Sequence, residues 1–168
     1  MGPGRTRVRE IEFRSEDACF QAHLTGDVLR KLLELCRASE RHETGGILVG
    51  RYSEALDCAQ VRRVSDPPSD SARGRTWFER GTQGLQAWID RCWSSDRDHY
   101  LGEWHFHPFA APTPSGPDIR QLKAIAHAPG YGCPEPLLLI VGGDPAGAWS
   151  ISVHVVPRGA EAVALQRV

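Results

Sequence analysis

A chain of 168 residues, 40% apolar and 24% charged, fits one soluble globular domain with room for a sizeable core. Its formal net charge of −1 argues against a general binder of nucleic acid or of anionic membranes. The positive charge is almost all arginine, with Lys31 and Lys123 the only lysines, a bias that fits a GC-rich genome better than a function.

The opening "MGPGRTRVREIEF" lacks the apolar core of a signal peptide, and no later apolar run approaches the length of a membrane span. Residues 1–6 formally fit the myristoylation pattern M-G-x-x-x-[ST], but so short a pattern arises by chance and Pro3 makes a poor start. A cytoplasmic protein is expected. Cys19, Cys36, Cys58, Cys92 and Cys133 are odd in number, scattered, and free of C-x-x-C spacing. They predict reduced, mostly buried thiols rather than a disulfide framework or a zinc ribbon, with Cys133, in a Gly/Pro loop, the most exposed.

"VREIEF" (8–13) and "ACFQAHL" (18–24) alternate as a strand pair joined by "RSED". Thr25 is a suitable N-cap for a helix over 26–38 that gathers Val28, Leu29, Leu32, Leu33 and Cys36 on one face. "TGGILVGRY" (44–52) reads as a buried strand opened by a glycine pair, with "CAQVRRV" (58–64) beside it. The loop "SDPPSDSARGR" (65–75) leads through "TWFER" to an amphipathic helix near 82–94. "HYLGEWHFH" (99–107) predicts a strand ending at Pro108, followed by a helix from Ser115 to about His127. "PLLLIVG" and "AWSISVHVV" supply two closing strands. This alternation predicts an α/β (or α+β) domain with one central mixed sheet flanked by helices, and no boundary divides residues 1–168.

The chemistry concentrates in "GEWHFHPFAAPTPSGPD" (102–118). His105 and His107 are two apart on a strand, so both project from one face, where two imidazoles can share a metal. Strand histidines are also common as polar surface or satisfied core positions. Ser115 and Asp118 form [ST]-x-x-[DE] ahead of Ile119, Leu122 and Ile125, a capping-box pattern with Pro117 in the first turn. The two readings are compatible, because an aspartate in a first helical turn is held rigidly beside the strand end. Two histidines and one carboxylate would leave a fourth zinc position for water, as catalytic sites do. Glu43 in "HETGGILVG" is the best candidate for the base such a site needs, although alone it reads as a carboxylate after the first helix. It is not part of a helical H-E-x-x-H motif, since residue 46 is Gly.

Glu, then H-x-H, then seven residues, Ser, two residues and Asp resembles the JAMM motif of the JAB1/MPN/Mov34 metalloprotease family, and the contexts "ETGGILVG" and "GEWHFHP" match as well. The resemblance spans the chain from the first helix to the last strand. One departure is Phe106, where the family usually has a small hydroxyl residue; it should face away from the metal and change packing alone. The short stretch after Asp118 leaves no room for the long second insertion of the eukaryotic ubiquitin-chain enzymes, so the chain looks like a bacterial or archaeal member.

The resemblance implies a cytidine-deaminase-like architecture and a zinc peptidase or isopeptidase acting after the C-terminal glycine of a ubiquitin-like protein. His105, His107 and Asp118 would bind one zinc ion, Glu43 would act as general acid–base, and Ser115 would stabilise the oxyanion. The last role and the helix cap place demands on the same hydroxyl. Trp77 and Phe78, in the family's first insertion, and Phe109 are candidate contacts to the ubiquitin-like partner. Core packing is an equal reading of the first two. The wider setting implied is a bacterial conjugation or anti-phage operon with activating and conjugating enzymes. Processing of a sulfur-carrier protein, or a non-catalytic MPN scaffold, are the alternatives.

Overall fold

Three amphipathic helices meet a sheet whose strands alternate between an inner and an outer face, and that alternation organises the molecule. The computed structural model describes residues 8–168, so the myristoylation pattern lies outside the described residues. In chain order the elements are β1 (Ile11–Arg14), β2 (Gln21–Leu24), α1 (Gly26–Ser39), β3 (Thr44–Tyr52) and β4 (Cys58–Val64). A two-stranded ribbon follows, β5 (Ala72–Arg73) and β6 (Phe78–Glu79), then α2 (Leu85–Asp96), β7 (His99–Pro108) and α3 (Gly116–His127). After a 3-10 turn at Pro129–Tyr131 come β8 (Leu137–Gly143), β9 (Trp149–Val155) and β10 (Val163–Arg167).

The sheet is mixed and flanked by helices, as expected, but it is not open. Eight strands close into a barrel in the order β1-β10-β9-β8-β7-β3-β4-β2. Parallel pairings occur at β2–β4 and β7–β8; the other ladders are antiparallel. Closure depends on β10, which the sequence reading passed over. It pairs β9 on one side and β1 on the other, with Phe13 opposite Arg167. Its residues, Val-Ala-Leu-Gln-Arg, bury only Leu165, so the strand carries too little apolar signal to announce itself.

The inner face packs on α1. Val28, Leu29, Leu32, Leu33 and Cys36 join Phe13, Leu24, Leu48, Val61, Trp104, Phe106 and Leu139 in one buried cluster. Thr25 caps this helix, its hydroxyl accepting a hydrogen bond from the Val28 amide. The outer face carries the other two helices. Ile47, Val49 and Tyr100 meet Leu85 and Cys92 of α2 and Ile125 of α3, while Leu138 and Ile140 meet Leu122 of α3. Helix α2 starts later than its periodicity predicts, because Gly84 adopts a left-handed conformation (φ 79°) immediately before it.

The five thiols are free. Cys133, expected to be exposed, is instead buried: the loop folds its side chain between the Leu101 carbonyl and the Tyr52 hydroxyl, and burial pushes the thiol up to about 11. The exposed thiol is Cys19. No helix among the described residues is long and apolar enough to cross a membrane.

Candidate metal centre

Strand β7 divides its residues between two environments. Trp104 and Phe106 point inward and are fully buried against α1, whereas Glu103, His105 and His107 point outward. Phe106 therefore faces away from the histidines, as the sequence implied. The strand is central, lying between β3 and β8, so its outward side chains stand on a backbone hydrogen-bonded on both edges.

Asp118 reaches the same point from α3. Ser115 is the N-cap; its hydroxyl accepts from the Asp118 amide at 3.1 Å, and Asp118 Oδ2 accepts from the Ser115 amide at 2.8 Å, completing a reciprocal capping box. The other carboxylate oxygen, Oδ1, is 3.0 Å from His105 Nδ1, and Oδ2 is 3.7 Å from His107 Nε2. One aspartate thus ends a helix and faces both histidines. The demands on Ser115 also separate. Capping uses an acceptor lone pair of the hydroxyl, which leaves its proton free to be donated.

Ligand atoms of His105, His107 and Asp118 all lie within 4.8 Å of one another. His105 is 3% exposed, and its Nε2 is buried without a hydrogen-bond partner. A buried, unsatisfied imidazole nitrogen beside a second imidazole and a carboxylate fits a divalent metal, and this donor set is one zinc takes when it keeps a position for water.

The electrostatics favour the metal-binding forms of Asp118 and His107. Burial alone would raise the Asp118 carboxyl, but the hydrogen bond and charge of His105, with both Ser115 contacts, bring it down to about 2. Burial lowers the pKa of His107 against the opposing pull of Asp118, favouring the neutral ring that can donate a lone pair.

Glu43 lies just before β3, beside this cluster. Burial, reinforced by the charge of Asp118 and opposed by that of His105, raises its carboxyl to about 6, within the range of a working general base. The glycine after Thr44 makes room here. Gly45 is opposite His105 in the β3–β7 ladder, and a Cβ on it would come within 2.4 Å of the Trp104 carbonyl, 2.8 Å of the Phe78 ring and 2.9 Å of the His105 ring. The structure thus brings together Glu43, His105, His107, Ser115 and Asp118.

The three aromatic candidates part company. Phe78 turns inward and sets its ring edge-on to His105, with centroids 5.7 Å apart and planes at 74°. Trp77 is 52% exposed and folds back toward Gly74 of its own ribbon. Phe109 is 64% exposed and occupies the left-handed region (φ 55°), a conformation that costs a non-glycine residue roughly 1–2 kcal/mol. It borders a cavity of about 680 Å³ shared with Arg37, His42 and Arg75.

Sequence reasoning missed Glu103 and Arg80. Glu103 is fully buried two residues before His105, bonded through both oxygens to Arg80 (2.6 and 2.9 Å) and to the Tyr100 hydroxyl (2.9 Å). Arg80 also reaches the Tyr131 hydroxyl at 3.1 Å. Burial pushes the Glu103 carboxyl up and Arg80 draws it back. The period-2 rule applied backwards from His105 would have placed Glu103 on the histidine face. No sequence signal pointed to Arg80 as its partner.

Comparison with known proteins agrees with this arrangement. The profile of the family described as prokaryotic homologs of the JAB domain matches residues 25–153. A protein of Enterobacter hormaechei subsp. hoffmannii named CD-NTase/cGAS isopeptidase is 39% identical over 164 residues, 98% of this chain and 91% of the relative. A Vibrio cholerae protein of the same name is 30% identical, covering 68% of this chain and 73% of the relative. A Sinorhizobium fredii protein named a probable metalloprotease is 35% identical, covering 61% and 64%. Among solved structures, a solution structure of a Desulfitobacterium hafniense protein superposes with a TM-score of 0.60 at 20% identity, covering 86% of this chain and 88% of that one, a likeness of fold alone.

Proposed function

This chain belongs to the prokaryotic JAB-domain family, and from that premise we propose that it is a single-domain, zinc-dependent isopeptidase. The observation that carries the reading is the convergence of His105, His107 and Asp118 within 4.8 Å beside Glu43, whose carboxyl is raised to about 6. In this reading His105, His107 and Asp118 hold the ion. When bound, it lowers the pKa of its water from about 15.7 towards about 7. Glu43 accepts the proton of the attacking water and delivers it to the departing amine, acting first as base and then as acid. Ser115 would donate a hydrogen bond from its hydroxyl to the oxyanion, while Asp118 keeps the helix end in place.

The scissile bond in this proposal is the isopeptide link that joins the C-terminal residue of one protein to a lysine of another. An extended tail ending in glycine, the form a ubiquitin-like protein presents, suits such a site. The name of the Enterobacter relative makes a CD-NTase/cGAS-type protein the first candidate for the attached partner, with 39% identity over 98% of the chain in its support. A ubiquitin-like protein is the second. Sulfur-carrier processing and a silent scaffold have less support, the scaffold because all five chemical positions are present. A cellular setting with activating and conjugating enzymes belongs to the same proposal.

The test is cleavage of an isopeptide-linked CD-NTase conjugate and a ubiquitin-like conjugate by zinc-loaded protein, before and after chelation. Cleavage of the first, lost on chelation and restored by zinc, is expected. Cleavage of only the second would reassign the substrate. Undiminished activity in the metal-stripped protein would end the metalloprotease reading.

A further inference from the structure

Among the described residues, Arg80–Glu103 is the one doubly bonded ion pair near the site with both side chains nearly or fully buried, 4% and 0% exposed. A buried pair of this kind is a poor source of stability, because desolvation of both charges offsets their attraction; its better-attested use is to fix a register. The ribbon and β7 offer a register to fix. Phe78 and Arg80 are two apart on the ribbon strand and its continuation, and both turn inward, while Glu79 between them is exposed. Glu103 and His105 are two apart on β7 and both turn outward. The four residues meet as two matched contacts side by side, Arg80 on Glu103 and Phe78 on His105.

The far end of the same ribbon touches the other side of the site. The Glu43 amide donates to the Gly74 carbonyl at 2.8 Å, and Arg73 donates to the Ser39 hydroxyl at 3.1 Å, just ahead of Glu43. Two short strands joined by backbone bonds cannot hold such a position alone, since an isolated ribbon is marginal in water. The buried Arg80–Glu103 pair is a contact able to pin it on β7.

We propose that Arg80 and Glu103 are positioning residues: their ion pair locks the ribbon in register on β7, so that Phe78 buttresses the His105 ring and Gly74 holds the backbone of Glu43. A slip of the ribbon would take the Phe78 ring off His105 and the Gly74 carbonyl off Glu43 together, loosening both halves of the site at once. The consequence for catalysis rests on the isopeptidase reading; the consequence for the His105 ring does not.

The experiment compares wild type with Arg80→Met, Glu103→Met, the double variant, Arg80→Lys and Phe78→Ala. The readouts are thermal midpoint, the NMR signals of the His105 imidazole, and kcat and KM on an isopeptide substrate. Each single Met variant should lose stability, by leaving one buried charge alone, and the double variant should recover it. With stability recovered, the double variant should still show displaced His105 signals and a kcat lower by about 10–100-fold, the usual cost of losing support behind a ligand, with KM less affected. Phe78→Ala marks the displacement expected when the ring itself is gone. Arg80→Lys, which keeps the buried charge neutralised but loses the two-pronged bond to Glu103, should displace the same signals, which keeps the test valid if the Met variants do not fold. Wild-type His105 signals in the double variant or, should that not fold, in Arg80→Lys would overturn the proposal. If wild type cleaves no isopeptide substrate, the functional reading falls, and the NMR comparison still decides the role of the pair.

Discussion

The candidate site is built from two halves that reach their places by different means. His105, His107 and Asp118 lie in one stretch of chain, on the end of a central strand and the first turn of the helix after it. Their placement follows from strand alternation and a capping box, both local rules. Glu43, Phe78 and their supports lie far away in sequence, just before β3 and on a two-stranded ribbon. They are brought in by the Gly74 carbonyl, the space at Gly45 and the buried Arg80–Glu103 pair. The comparison teaches that the geometry of a candidate ligand set can be locally encoded, while the position of the candidate base relative to it is a tertiary property.

Breaking the local half should have the largest effect. His105→Ala is expected to abolish stoichiometric zinc, read by elemental analysis, and to lower kcat/KM by more than about 100-fold, beyond the loss seen for supporting residues alone. Retention of both would remove His105 from the site. In the distant half, Glu43→Gln should keep the zinc and lower kcat by about 10²–10⁴-fold, the range for a positioned general acid–base. Zinc loss in that variant would merge the two halves into one.

Ser115 tests whether one residue serves the two roles separately. Ser115→Ala is expected to cost about 10²–10³ in kcat as a lost oxyanion donor, and about 1 kcal/mol of stability as a lost cap. Ser115→Gly should cost the same in rate but only about a few tenths of a kcal/mol in stability, because glycine is tolerated at an N-cap. That difference in denaturant titrations, with no loss of rate in either variant, would leave Ser115 a cap alone. Gly45→Ala, which puts a methyl group between the Phe78 and His105 rings, should destabilise by about 1–3 kcal/mol as an overpacked contact.

The smallest effect is a pH dependence. Glu43 must be ionised to accept a proton, and burial with the charge of Asp118 raises its carboxyl to about 6. Activity should therefore be present above that value and fall as pH drops through it, by about tenfold per unit well below the limb. A bound cation can only move the limb lower, since it favours the carboxylate. An acid limb in kcat/KM well above about 6 would assign it to another group.

Much of the fold was legible because it is periodic. The boundaries of β3 and β4 follow their apolar runs residue for residue, and the capped α1 and α3 follow theirs closely. Three features were not. β10 buries a single large side chain, so its strand character comes from pairing with β1 and β9 rather than from its own pattern. Cys133 lies in a Gly/Pro loop that reads as exposed, yet the loop folds its thiol beneath Tyr52. Glu103 sits in the middle of a buried strand, where a distant arginine, helped by the Tyr100 hydroxyl, makes a charge tolerable.

By itself, then, the amino-acid sequence determined most of the elements, the candidate ligand trio and the family resemblance, because each rests on spacing within a strand, a helix turn or a short motif. Only the tertiary structure decided that the sheet closes into a barrel, that Phe78 and not Trp77 meets His105, and that Arg80 neutralises Glu103 beneath the site. Those outcomes depend on which distant surfaces share one buried space, and a contact between residues far apart in the chain leaves no period to read.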